Sequence, residues 1–362
     1  MLYTVLFVLA GVGIASSLFV VLAPQLGAPA KEQRLERIQK SPNFNGNVFS
    51  NPVPTAMERP PFSVLMKMMK GNKNRTPAQV LKNLPIDKAA YVANSSEKML
   101  VTWLGHSSIL LQSDGVNMLI DPIFSRRASL VSFAGPMMFD YAVEYQVGDL
   151  PNIELVLITH DHYDHLDKNT IEALRPLVCF FVVPLGVGAH LVRWGVAPEQ
   201  IVELDLWEEF QYKTATVTAT PSRHFTGRGL ARFKTLWCGF AIRMPQHKVF
   251  HSGDSGYFAG FKQIGEKLGP FDLAFLECGQ YNEAWHNIHM MPEESAQAAA
   301  DVKTRIAIPI HWGKFPLSLH DWNEPPTRFE CKARELGLTF LTPQIGESFN
   351  PEKAQLNTWW KE

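Results

Sequence analysis

The amino-acid sequence predicts an α/β body built of layered sheets, and three observations carry that expectation. Short apolar runs recur at strand length after Lys98, among them "MLVTWLG", "SILLQS", "ELVLIT", "LAFLEC" and "IAIPIHW". Helical stretches such as "KNTIEALRPL" and "PEESAQAAADVK" fall between some of these runs but not in strict alternation, which suits stacked sheets under helices better than a simple parallel wind. His160, His224, Asp254 and His311 each stand at or just beyond the end of a run, so one edge of the sheets can gather them.

With 362 residues, 46% of them hydrophobic and 19% charged, the chain can form one large core with appended segments. Leu2 to Ala23 carry no charge, and as helix they would extend about 33 Å, one hydrocarbon thickness. Residues 1–30 are therefore expected to be an uncleaved transmembrane anchor, the alternative being export after cleavage at "APA", near Ala30. Lys31, Arg34, Arg37 and Lys40 follow the span, and only the terminal amine precedes it. That asymmetry places the body on the cytoplasmic face.

Residues 31–97, rich in proline and asparagine, read as an irregular arm wrapped on the body. Inside it, "PFSVLMKMMKGNKNR" sets Phe62, Leu65, Met66, Met68 and Met69 beside Lys67, Lys70, Lys73 and Arg75. This is either a helix packed on the core with its lysines in water or an interfacial helix resting on anionic headgroups. Cys179, Cys238, Cys278 and Cys331 form no C-x-x-C pair and read as buried free thiols. The 34 basic residues balance 35 acidic ones, so no net field favours nucleic acid, which is not an expected partner.

The chemistry concentrates in "LVLITHDHYDHLD", Leu155 to Asp167, where three histidines and three aspartates follow a strand-like run. Crowded at that density, these groups repel and desolvate one another unless a cation satisfies them. Alternating positions of an extended segment share a face, which directs His160 and His162 to one ion. Entry into the next helix turns Asp164 and His165 toward another. His224 in "TPSRHFTGRG", Asp254 in "HSGDSGY" and His311 in "IPIHWGKF" complete a dinuclear site. Imidazoles with carboxylates and no thiolate suit Zn²⁺, two per chain, with Fe²⁺ or Mn²⁺ also compatible.

The motifs "VTWLGHSSILLQ", "IDPIFSRRAS", "ITHDHYDHLD", "TGRGLARFKTLWCGFAI", "GDSGY", "HMMPEES" and "IPIHWGKF" resemble the metallo-β-lactamase superfamily, and within it the N-acyl-phosphatidylethanolamine-hydrolysing phospholipase D branch. The resemblance covers Lys98 to Phe349. It implies an αββα sandwich over residues 98–350, followed by a tail at 351–362. It also implies that His160, His162 and His224 hold one zinc, that Asp164, His165 and His311 hold the other, and that Asp254 bridges them. His289 corresponds to a histidine near the active site of that branch, so Asp254, His289 and Asp164 are the candidate catalytic residues. Asp121 fits a supporting role, accepting a hydrogen bond that fixes the metal loop, and His106 is a similar candidate. His251 is assigned no role.

Three functions are compatible with these residues. The first is a membrane-associated phosphodiesterase acting on glycerophospholipids, releasing N-acylethanolamine and phosphatidic acid. The second is a carboxylic hydrolase such as a lactonase or β-lactamase, and the third a non-catalytic membrane-tethered scaffold. A phospholipid substrate and a membrane are the expected partners, and the resemblance implies a homodimer.

Overall fold

A computed structural model describes residues 11, 13, 23–57, 62–94 and 98–361. The expected membrane span lies outside the described residues apart from Gly11, Gly13 and Ala23. No helix among the described residues is long and apolar enough to cross a membrane.

The arm holds α1 (Glu32–Lys40), α2 (Phe62–Lys70) and α3 (Lys88–Ala93). The body continues with β1 (Leu100–Trp103), β2 (Ile109–Ser113), β3 (Val116–Ile120), β4 (Leu155–Leu157), α4 (Lys168–Leu174), β5 (Phe180–Pro184), α5 (Gly188–Arg193) and β6 (Ile201–Leu204). It ends with β7 (Glu209–Tyr212), β8 (Ala215–Thr220), β9 (Gly239–Arg243), β10 (Lys248–His251), α6 (Gly260–Lys267), β11 (Phe271–Glu277), α7 (Pro292–Asp301), β12 (Thr304–Ile310), α8 (Glu324–Glu335) and β13 (Ser348–Phe349).

Two mixed sheets result. The first half of the body forms one in the order β13-β1-β2-β3-β4-β5-β6, with β13 returning from the far end of the chain to pair with β1; the second half forms the other, β12-β11-β10-β9-β8-β7. Because side chains alternate across a strand, a strand buried on both faces feeds two cores. Leu273 and Phe275 of β11, with Ile306, Ile308 and Ile310 of β12, join Val101, Trp103, Val182 and Leu155 in the core between the sheets. Ala274, Leu276 and Ala307 point the other way, onto Phe261, Ala296, Ala299 and Phe329 of the outer helices α6, α7 and α8. On the first sheet, α4 and α5 bury Ile171, Leu174 and Leu191. The α/β sandwich of two sheets is the one expected.

Strands β3 and β4 of one sheet are parallel, as are β10, β11 and β12 of the other, and the residues that follow their carboxyl ends meet between the two sheets. There β3 leads to Asp121, β4 to His160, β10 to Asp254, β11 ends on Glu277 and β12 leads to His311.

The arm is stitched to this body. Ile38 and Phe49 are buried with Leu185, Leu236 and Trp237, while Leu81, Ile86 and Tyr91 enter the main core. Helix α2 leaves Phe62 and Met66 exposed; the side chains of Leu65 and Met69 lie outside the described residues. Two of the four cysteines depart from the expectation of burial. Cys238 and Cys278 are buried, but Cys179, just ahead of β5, and Cys331, on the outer helix α8, are exposed, and all four are free. An apolar run identifies a strand but not where its first residue meets water.

Residues 351–361 pack back onto the body. Trp360 is fully buried, and Trp359 stacks on Trp312 at 5.4 Å and 13°, directly after His311. Replacing Trp360 by Ala should destabilise the fold by about 3–5 kcal/mol, the usual cost of emptying an aromatic site. Denaturant unfolding measures it, and an unchanged midpoint would show that the tail contributes nothing to the core.

Candidate metal centre

The stretch after β4 is held at both ends before it forms a site. Asp121, fully buried, accepts from the Thr159 amide at 2.8 Å and from Thr159 Oγ1 at 2.6 Å. Asp167 caps α4, accepting from the Asn169 amide. Between them the chain makes the short turn that carries His160, His162, Asp164 and His165.

Hydrogen bonds on the outer side of three of the rings decide which nitrogen faces inward. His165 Nδ1 bonds Asp121 at 2.8 Å, His224 Nδ1 donates to the Ile288 carbonyl at 2.9 Å, and His160 Nδ1 lies 3.0 Å from Thr159 Oγ1, whose proton goes to Asp121. Each of these rings therefore presents Nε2 to the centre. His162 presents Nδ1, 3.0 Å from His160 Nε2 and 3.2 Å from His224 Nε2. A second group forms opposite: Asp164 Oδ2 stands 3.5 Å from His165 Nε2 and 3.3 Å from His311 Nε2, and those two nitrogens are 3.4 Å apart. Asp254 Oδ2 lies between the groups, 3.3 Å from both His165 and His311, 3.7 Å from His224 and 3.8 Å from His160. All seven residues expected as ligands converge here.

These contacts are not a satisfied hydrogen-bond network. Inward-facing nitrogens crowd one another, and Asp254 Oδ1 is buried with no partner. Burial pushes His160 and His224 well below the usual imidazole range, so their lone pairs are free to bind. Burial also opposes charge on His165 and His311, but Asp254 and Asp164 outweigh it, raising His165 well above its ordinary value and His311 to about 10. Burial disfavours both aspartates' charge too, yet the neighbouring imidazoles, His165 foremost, hold them far below the usual carboxylate range. The carboxylates demand positive charge at this point. Divalent cations supply it while leaving every imidazole neutral, and the donor set fits two of them.

The surroundings lock the donors. His106 donates to Asp164 at 2.8 Å, and its amide and carbonyl pair with the backbone of Trp312 and His311. His106, Asp121 and His311 all sit at positive φ (54°, 42° and 69°), strained values of the kind that functional sites retain. His251, read without a role, is a satisfied core residue: Nδ1 accepts from the Gly253 amide at 3.1 Å, steadying the turn into Asp254.

Two contributors escaped the sequence reading. Glu277, fully buried, contacts His289 Nδ1, accepts from the Ser255 amide at 2.5 Å and stands 3.3 Å from His311 Nδ1. A lone acid closing the apolar run "LAFLEC" was its only sequence signal. Asn51 of the arm exchanges two hydrogen bonds with the backbone of His224, at 2.8 and 2.9 Å, a contact no local pattern announces.

The centre opens into a cavity of about 350 Å³. His162, Asp164, Asp254, His289 and His311 form its polar floor; Met57 and Met68 of the arm, Phe225, Trp285, Ile288 and Leu317 are its apolar walls. Arg232 lies among the lining residues, its guanidinium 5.3 Å from the Phe225 ring. His289 stacks parallel to His311 (5.4 Å, 13°), with Nδ1 held by Glu277 and Nε2 left for the cavity.

Replacing Asp254 by Asn preserves size but removes the shared charge, so metal analysis after dialysis should find bound ion falling from about two per chain to one or fewer. Asp121→Asn should weaken binding by about 10–100-fold. A parent protein holding less than about one ion per chain would disprove a dinuclear centre.

A family profile described as a beta-lactamase superfamily domain matches residues 116–312, which include all seven converging donors. The chain is 38% identical over 345 residues to an uncharacterized protein of Mycobacterium tuberculosis, covering 93% of this chain and 91% of that one. It is 31% identical over 339 residues to N-acyl-phosphatidylethanolamine-hydrolyzing phospholipase D 1 of Caenorhabditis elegans, covering 84% and 93%. A solved metallo hydrolase from Ignicoccus hospitalis superposes with a TM-score of 0.55 at 23% identity, covering 70% of this chain and 97% of that one. The shared sheets and the matched motifs lead to one conclusion: this chain belongs to the metallo-β-lactamase superfamily and is a metal-dependent hydrolase.

Proposed function

We propose that the protein is a phosphodiesterase acting on membrane glycerophospholipids, with N-acyl-phosphatidylethanolamine as the favoured substrate and N-acylethanolamine and phosphatidic acid as products. The observation that carries this reading is the cavity: a metal centre at the floor of an apolar passage, with one arginine among its lining residues. That arrangement suits a ligand with an anionic diester and hydrocarbon chains. The named Caenorhabditis elegans relative supports the same substrate class.

Divalent cations held by the seven donors would supply an activated water at neutral pH and neutralise charge developing on the phosphoryl group. The chain's own residues do the rest. Arg232 pairs with the phosphate and orients it. His289 in its doubly protonated form, with Nδ1–H held by Glu277, gives its Nε2 proton to the leaving oxygen. Met57, Met68, Phe225 and Ile288 exclude water and hold the acyl chains.

Helix α2 carries the mouth toward lipid: Met68 lines the cavity while Phe62 and Met66 stay exposed beside Lys67 and Lys70. The apolar stretch 2–23 serves as anchor, with the body on the cytoplasmic face.

Incubating the purified, metal-loaded protein with vesicles of N-acyl-phosphatidylethanolamine should release phosphatidic acid and N-acylethanolamine, identified by mass spectrometry. Efficient opening of lactones or β-lactams with no phosphatidic acid from any lipid would transfer the protein to the carboxylic hydrolases. Phe62→Ser with Met66→Ser should lower vesicle turnover about tenfold, since side chains only partly inserted in lipid lose a fraction of the roughly 1.5–3 kcal/mol that full burial of each contributes. Hydrolysis of a small soluble phosphodiester should change less than about twofold, as neither residue touches the centre.

A further inference from the structure

We propose that Arg228 is a positioning residue of the metal loop and that the strap Pro24–Ala28 holds it in place, so that the N-terminal segment and the ion affinity of the centre are linked. Nothing in the chemistry above uses this arginine, yet it is buried to 5% exposure. Its Nη1 donates to the carbonyls of Asp161 at 2.6 Å and Leu166 at 2.8 Å. Those two carbonyls bracket the segment that carries His162, Asp164 and His165. Its guanidinium lies 4.1 Å from the Tyr163 ring and 5.1 Å from Trp194, and Tyr163 Oη donates back to the Arg228 carbonyl at 2.6 Å. One planar cation thus grips the loop at both ends and in the middle. A lysine, with a single ammonium on a flexible stem, does not reproduce this fork.

The outer face of the clamp is closed by the strap. Arg228 Nε donates to the Gln25 carbonyl at 2.7 Å, and Trp194 Nε1 to the Pro24 carbonyl at 2.6 Å. The Ala28 amide donates to His190 Nδ1 at 2.9 Å, and His190 Nε2 lies 3.3 Å from Asp161 Oδ2. Asp161, between the ligands His160 and His162, also accepts from the Gly227 amide and Thr235 Oγ1. The fit at Gly27 is tight: φ is +72°, and a Cβ there would stand 1.9 Å from His190 Nδ1. If the strap lifts, Arg228 loses an acceptor, the aromatic sandwich opens to water, and the loop loses part of its preorganisation. By linkage, loading the centre with metal strengthens the seating of the strap. The strap directly follows residues 2–23, so whatever holds that stretch is mechanically continuous with the metal loop.

The proposal rests on the metal centre and not on the lipid reading, and its test uses no substrate. The full chain in detergent is loaded with Co²⁺, whose visible absorption reports ligand geometry, and cobalt transfer to a chelator is timed. Arg228→Lys and Gly27→Ala should each release cobalt about tenfold faster, the usual scale for loss of support behind metal ligands, with shifted absorption bands. Arg37→Ala, which cuts the α1 contact to Glu208 away from the loop, should match the parent. If Arg228→Lys fails to fold, Gly27→Ala decides alone, since its added methyl sits on the strap and reaches the metal loop only through the strap's own contact with His190. Release within twofold of the parent, or faster release with unchanged bands, overturns the coupling. A parent chain that takes up no cobalt overturns the metal centre as well, which separates the two failures.

Discussion

Five imidazoles and two carboxylates packed within a few ångströms, most of them buried, are stable only if something positive sits among them. The molecule is organised around that constraint. Asp254 stands within 3.3–3.8 Å of four ring nitrogens and leaves one oxygen unpartnered. Without cations, Asp254 and Asp164 favour the protonated forms of His165 and His311. That sacrifices lone pairs which these rings turn toward the centre. Metal binding resolves both demands at once, so ligand geometry and local stability share one cause.

The two sheets exist, from this viewpoint, to deliver loop ends to a common edge. Parallel pairing of β3 with β4 in one sheet, and of β10 with β11 and β12 in the other, sets carboxyl ends side by side within each sheet, and strands buried on both faces leave their register little freedom. Rigid strands then allow the connecting residues to carry strain. His106, Asp121 and His311 keep positive φ because backbone pairing on either side holds them there.

Segments remote from the strand ends close the site from outside. The arm reaches His224 through Asn51 and walls the cavity with Met57 and Met68, the strap reaches the metal loop through Arg228, and the C-terminal tryptophans brace the residue after His311. Segments that look peripheral along the chain are thus part of how the centre keeps its shape, and the same arm that supports a ligand also presents apolar side chains at the cavity mouth.

The ligand set was legible in the sequence because metal chemistry leaves local signals: histidines and aspartates at short fixed spacing after a strand, and further donors at the ends of other apolar runs. The sandwich was legible for a related reason, since run lengths and their irregular mixing with helices reflect two-sided burial. Glu277, Asn51 and Arg228 were not. Each acts through a partner distant in the chain, 173 residues from Asn51 to His224 and 67 and 62 from Arg228 to the two carbonyls it holds, and a single acid, amide or arginine has no pattern that names such a partner. The burial of Trp360, the exposure of Cys179 and Cys331, and the choice of inward-facing nitrogen on each ring likewise depend on what the folded chain places next to them. Sequence alone determined which residues gather at the candidate centre and what kind of body carries them. Only the tertiary structure decided how they are held, because holding is done by contacts between segments that become neighbours only on folding.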